Sequence, residues 1–323
     1  MRIAVDLQVG ERLSRLGSSE GRDPVASIGS SGLFHIALRL TLIMIFLGSS
    51  GVLCAAEFGP SRGALVIVGG AMRDPAILTR FFELAGGIDA PIVVIPTAGG
   101  AAEYGPDWPG LGSFRALGAT NLTVLHTTDR QVADSEEFVR PIREARGVFF
   151  GGGRQWRLAD SYLNTLTQKA LFELLDRGGV IGGSSAGATI QGSYLARGDT
   201  GGNTVMMGDH VEGLGFLKNS AIDQHLLARN RQFDLIEVIQ AHPQLLGIGI
   251  DEDTAIVVRG DQFDVIGQGY VAIYDSQKMI PPNGFFYLMA PGDRFDLVQR
   301  LAQRSARTWR PVDRPQAVPW KKP

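Results

Sequence analysis

From Ala64 onward, short apolar runs bounded by glycine alternate with longer segments whose apolar residues recur at helical spacing. The runs ALVIVGG, PIVVIPTA, GVFFGGG and GVIGGSSAG are continuous apolar stretches, and with the more polar NLTVLHT they read as strands buried on both faces. Between them Pro75 to Ala85, Ser113 to Leu117, Ser135 to Ala145 and LTQKALFELLDRG read as helices. Such alternation predicts an α/β fold, a mostly parallel sheet covered by helices. Further on, ATIQGSYLA reads as helix, and NSAIDQHLLARNRQFDLIEVIQAH as a short strand, a polar corner and a helix. The closely spaced runs GIGIDED, TAIVVRG and FDVIGQGYVAIYD, followed by GFFYLMAPGDRFDL, predict C-terminal hairpins added to the sheet edge. There is no internal repeat, and no linker interrupts residues 57–304, so one domain is expected there, with a Pro-rich, disordered tail over 305–323.

The segment before this domain has a different character. LFHIALRLTLIMIFLGSSGVLCAAE is an apolar run ending in small residues, and it resembles a secretory signal with a long Gly/Ser-rich leader. Its core, Leu40 to Leu47, is too short to span a bilayer, and Ala56 offers a cleavage point with Cys54 at the minus-three position. The expectation is export to the periplasm or the medium, with residues 1–56 removed and no membrane anchor left. Cys54 is the only cysteine in the chain, so the mature protein would hold no disulfide, thiolate metal site or cysteine nucleophile. At 323 residues, 44% hydrophobic and 20% charged, the chain can bury a full core without staples. The formal net charge is -2 and the pI about 6.2, so no basic field is present to hold a nucleic acid.

VIGGSSAGAT, Val180 to Thr189, crowds tiny residues into the corner between a strand and a helix. In an α/β sheet that corner lies at the carboxyl end of a strand, where ligands collect. Gly183-Ser184-Ser185-Ala186-Gly187 fits G-x-S-x-G, whose central serine sits on a strained strand-to-helix turn. Ser185 is therefore a candidate nucleophile and the Ala186 N–H a candidate oxyanion donor. The bland alternative is a small-residue turn for close packing. A base is needed, and the mature chain offers His126, His210, His225 and His242. His242 stands at a helix end, His126 follows a strand and His210 lies in a Gly-rich loop. His225, in the turn DQH, is modestly preferred. GGGRQ after VFF should lie beside the elbow, with Gly152 or Gly153 giving a second oxyanion N–H. Its alternatives are a plain connection or a phosphate loop, and for the latter no Walker lysine follows.

GGSSAGA, FFGGGRQ, DQHLLARNR and GIGIDEDTAIVV, in this order, resemble the cyanophycinases and their relatives among the S51 serine peptidases, which include aspartyl dipeptidases. The resemblance covers about Ala64 to Asp275. It implies a class I glutamine-amidotransferase-like fold, a flavodoxin-like three-layer sandwich, with Ser185 as nucleophile, His225 as base and Glu252 as the acid that orients it. A carboxylate just after GIGI can hold an imidazole in one tautomer, although Asp251 and Asp253 flank Glu252 and either would fit if the match shifted by one. By the same resemblance Gln155, Asp223, Gln224, Arg229 and Arg231 line a pocket for cyanophycin, an aspartate polymer with arginine on each β-carboxyl, in which the arginine forks suit carboxylates and Asp223 could pair with a guanidinium. For Arg229 and Arg231 the other reading is a solvated start to the helix that follows. The chain departs from the family pattern at Asp234, where a further arginine is usual, and in GGGRQ, one residue longer than the usual loop. The implied reaction is hydrolysis through an acyl-enzyme to β-aspartyl-arginine dipeptides. It requires no metal or cofactor, and the implied assembly is a homodimer. Two alternatives stay open, another α- or β-aspartyl peptidase and a catalytically silent binding protein.

Overall fold

The computed structural model describes residues 56–278 and 284–306, all within a unit that runs from Ala55 onward. The segment expected to act as a secretory signal lies, up to Ala55 and with Cys54, outside the described residues, as does the expected tail from residue 307. Five strands form the parallel half of a nine-stranded sheet. They are β1 (Ala64–Val68), β2 (Ile92–Ile95), β3 (Leu122–Val124), β4 (Gly147–Phe150) and β5 (Val180–Ser184). Four of them are buried and the fifth, β3 at the sheet edge, is only partly buried, so NLTVLHT is not covered on both faces as its run predicts. Helices connect the five strands: α1 (Pro75–Ala85), α2 (Gly112–Ala116), α3 (Arg130–Ala133), α4 (Glu136–Glu144), α5 (Gln155–Tyr162) and α6 (Leu166–Asp176). Local chemistry sets their starts. Asp74 accepts from the Ala76 N–H ahead of Pro75, and the Ser135 hydroxyl accepts from the Phe138 N–H.

The alternation of side chains along each strand divides the interior in two. Val66 and Val68 face one core with Phe81, Phe82 and Phe149, under α1 and α2. Leu65 and Ile67 face the other with Val148, Phe150 and the inner sides of α4 to α6. The expected helix over ATIQGSYLA does not form: α7 (Ala186–Thr189) ends two residues into the run, a turn follows, and β6 (Gly192–Tyr194) takes its centre. Seven of those nine residues are small, polar or β-branched, so the corner ends once the elbow is made and the chain returns to extended pairing.

The remaining strands are β7 (Leu217–Gln224), β8 (Leu246–Ile250), β9 (Thr254–Arg259), β10 (Gln262–Gly267), β11 (Val271–Tyr274), β12 (Tyr287–Met289), β13 (Arg294–Asp296) and β14 (Leu301–Gln303), with α8 (Leu235–Ala241) between β7 and β8. They divide between two sheets. β9, β10, β13 and β14 extend the large sheet antiparallel beyond β1, in the order β14-β13-β10-β9-β1-β5-β4-β2-β3. β12, β11, β8, β7 and β6 make a second, five-stranded sheet. The hairpins therefore do extend the sheet edge, but the second sheet is an addition to the architecture expected from sequence. It shares the core of Ile256, Val258 and Phe295 with the antiparallel half, doing there what helices do beneath the parallel half. Its other face packs on α8 through Leu235, Val238 and Tyr274.

Candidate active site

Ser185 follows β5 directly, with φ 57° and ψ -115°. A non-glycine residue there stores about 1–3 kcal/mol of backbone strain and lifts its side chain off the strand. The glycines of the elbow are steric necessities. A Cβ on Gly183 would stand 2.1 Å from the Gly187 carbonyl oxygen, and one on Gly187 would stand 2.3 Å from that of Phe150.

Of the four candidate histidines, only His225 reaches the serine. Its Nε2 lies 2.9 Å from Ser185 Oγ, and its Nδ1 lies 2.7 Å from Glu252 Oε1. Since a carboxylate only accepts, Nδ1–H donates to Glu252 and Nε2 is left to accept the Ser185 hydroxyl proton. Burial pushes the His225 pKa below 6.5, and nearby Arg229 and Arg231 push the same way against the pull of Glu252. The ring is thus neutral and basic at pH 7. His126 bonds to Thr97 Oγ1, His210 lies between Asp160 and Asp209, and His242 caps α8 against the Tyr194 ring.

The flanking acids have other work. Asp251 Oδ1 accepts from the N–H groups of Leu227 and Ala228, just after the histidine, and Asp253 Oδ1 accepts from those of Arg73 and Asp74. Both tie loops together around Glu252. Their shared anchor, which sequence reasoning passed over, is the end of β1. The Val68 carbonyl accepts from Ser185 N–H, that of Gly69 from His225 N–H and that of Gly70 from Asp253 N–H. Three consecutive carbonyls hold the three segments. Gly70, at φ +129°, passes so close to the imidazole that a Cβ would stand 2.2 Å from His225 Cε1. The signal available in the sequence was the glycine pair after ALVIV.

The Ala186 N–H opens α7 and Gly152 faces the elbow, its Cβ position 3.4 Å from Ser185 Cβ. At Gly153, φ +142°, an added Cβ would stand 2.0 Å from the Ala98 carbonyl oxygen. Among the described residues neither the Ala186 nor the Gly152 N–H is taken by a backbone hydrogen bond.

Beside the triad, Gln155 is buried and donates to the carbonyls of Ala196 and Arg197. Asp223 is fully buried and accepts from Arg197 through both oxygens, 2.8 and 3.1 Å. Gln224 and Arg231 are bonded to each other, at 3.1 Å, while Arg229 is exposed. Arg197, unremarked in the sequence, also pairs with Asp234. Arg197, Arg229, Arg231 and Asp234 line one cavity of about 630 Å³.

The family model for peptidase family S51 matches residues 65–266, more than half of the chain. The chain belongs to peptidase family S51. Among its relatives in that family is a cyanophycinase of Geminocystis herdmanii, 34% identical over 225 residues, which covers 68% of this chain and 82% of the relative. A cyanophycinase of Nostoc sp. is 32% identical over 263 residues, 74% of this chain and 87% of the relative. A peptidase from an acI-B1 Actinobacterium, solved as a crystal structure, superposes with a TM-score of 0.57 at 25% identity, over 74% of this chain and 98% of its own. An S51 member is a hydrolase of peptide bonds, and the α/β sandwich with its parallel half is the scaffold shared with the solved peptidase.

Proposed function

We propose that this chain is an exported serine-type exopeptidase that degrades cyanophycin to β-aspartyl-arginine dipeptides through an acyl-enzyme. The observation that carries this reading is the unbroken Ser185–His225–Glu252 hydrogen-bond chain in a member of a family whose relatives are cyanophycinases.

In the reaction, His225 Nε2 takes the Ser185 proton as Oγ attacks the backbone carbonyl, and Glu252 stabilises the imidazolium that forms. The N–H groups of Ala186 and Gly152 receive the oxyanion, about 3–4 kcal/mol of transition-state stabilisation for each donor in comparable sites. His225 then passes its proton to the leaving amine, and water attacks the acyl-enzyme by the reverse route. Arg231 and the exposed Arg229 receive substrate carboxylates, with Gln155, Asp223 and Gln224 forming the frame behind them. Export is supported by the apolar segment that ends in small residues before Glu57.

The test starts from protein collected outside the producing cytoplasm. Its N-terminal residue should be Glu57, and incubation with cyanophycin should release β-aspartyl-arginine as the main product. Full-length protein retained inside the cell would reject export, and no dipeptide from the polymer would reject the substrate. A second reading, another aspartyl peptidase, is favoured by one observation: Asp223 is already paired within the protein. Cleavage of short aspartyl dipeptides but not of the polymer would select it.

A further inference from the structure

A pocket for an arginine-bearing polymer needs an open carboxylate, and Asp223 is not open. Arg197 donates to both of its oxygens through Nε and Nη2, and the same Nη2 reaches Asp234, while Nη1 donates to the Asn203 carbonyl. Asp223 also accepts from the Gln224 N–H. Neither side chain has surface to offer, since Arg197 is 3% exposed and Asp223 0%. Arg197, which lines the cavity, is thus paired from behind by Asp223, which does not reach the lining.

The cavity has two other carboxylates, Asp234 and Glu237. Asp234 gives one oxygen to Arg197 and remains 37% exposed, and Glu237 is exposed. They stand three residues apart at the start of α8, a spacing that puts side chains on one face. Beside them Phe233, 59% exposed, lines the same cavity and offers a ring face on which a guanidinium can stack. Arg229 and Arg231 line it too. One cavity therefore holds an anionic, aromatic part and a cationic part, the complement of a unit bearing a guanidinium and a carboxylate.

Building on the proposed substrate, we infer that Asp234 and Glu237, with Phe233 as the stacking face, are the residues that read the substrate's arginine, and that Arg197 has taken Asp223 out of that task. Arg229 and Arg231 then receive the carboxylate of the same unit. In this chain the acid at position 234 is part of a relocated guanidinium site.

The experiment compares the full chain and its Glu237→Gln and Asp234→Asn variants on two matched oligomers, aspartate backbones carrying either arginine or its neutral isostere citrulline on each β-carboxyl. The wild-type protein should prefer the arginine oligomer in kcat/KM. Glu237→Gln, an exposed change outside the buried ion pairs, should cut that preference about tenfold, mainly through KM, in line with the loss of one charge-assisted hydrogen bond. Asp234→Asn should cut it as well. A preference that survives unchanged in Glu237→Gln, while the wild type cuts the arginine oligomer, overturns the inference and leaves the proposed function standing. A wild type that cuts neither oligomer overturns both.

Discussion

Burial and two nearby cations hold the His225 pKa below 6.5, while Glu252 pulls it up. Because the base must be neutral, activity is lost as pH falls through that lowered pKa and is complete above it. The acid limb of kcat/KM should therefore lie below pH 6.5. Removing a lowering influence in Arg229→Ala should move the limb to higher pH, whatever the variant costs in substrate affinity. Removing a raising influence in Glu252→Gln should move it lower and reduce kcat by about 10⁴-fold, since the amide no longer enforces the working tautomer. A pH-rate series on the three proteins reads all of this, and limbs that coincide would mean that His225 is not the group titrating. Of these residues Ser185 was legible from its pentad and Glu252 only from the family resemblance. Neither the pattern nor the spacing of IDEDT distinguishes the acid that bonds the ring from Asp251 and Asp253, which bond backbone.

At the scale of elements, the triad is hung on the end of β1. Val68, Gly69 and Gly70 each give a carbonyl to a different segment, so the strand sets the spacing of serine, histidine and acid loop together. Gly70→Ala should place a methyl against the imidazole in a backbone conformation that only glycine adopts easily. A displaced ring of this kind is expected to lower kcat by about 10²-fold with little change in KM. Circular dichroism and kinetics on the variant would check it, and a folded Gly70→Ala enzyme of wild-type kcat would show that β1 does not position the base. The helix α1 was legible to the residue, because Asp74 and Pro75 mark its start and Gly86 its end. The run after Ser185 was not, since four residues of elbow helix leave no period to read before β6 begins.

Across the whole molecule, the site joins two sheets. Ser185 comes from the parallel half of the large sheet, whereas His225 and Glu252 come from the ends of β7 and β8 in the second. The sequence shows β8 and β11 as apolar runs and β7 as a short strand, but such segments have the same pattern in either sheet, and pairing is decided by partners far along the chain. That is why the parallel half could be read and the second sheet could not. In the proposed mechanism the reactivity of Ser185 thus depends on both sheets being in register at once. The most direct measurement is the intact mass of the protein after exposure to an organophosphonate serine probe. A single adduct mapped to Ser185 in the wild type, absent from His225→Ala, is the result expected; an unlabelled wild type, or equal labelling of His225→Ala, would contradict the account.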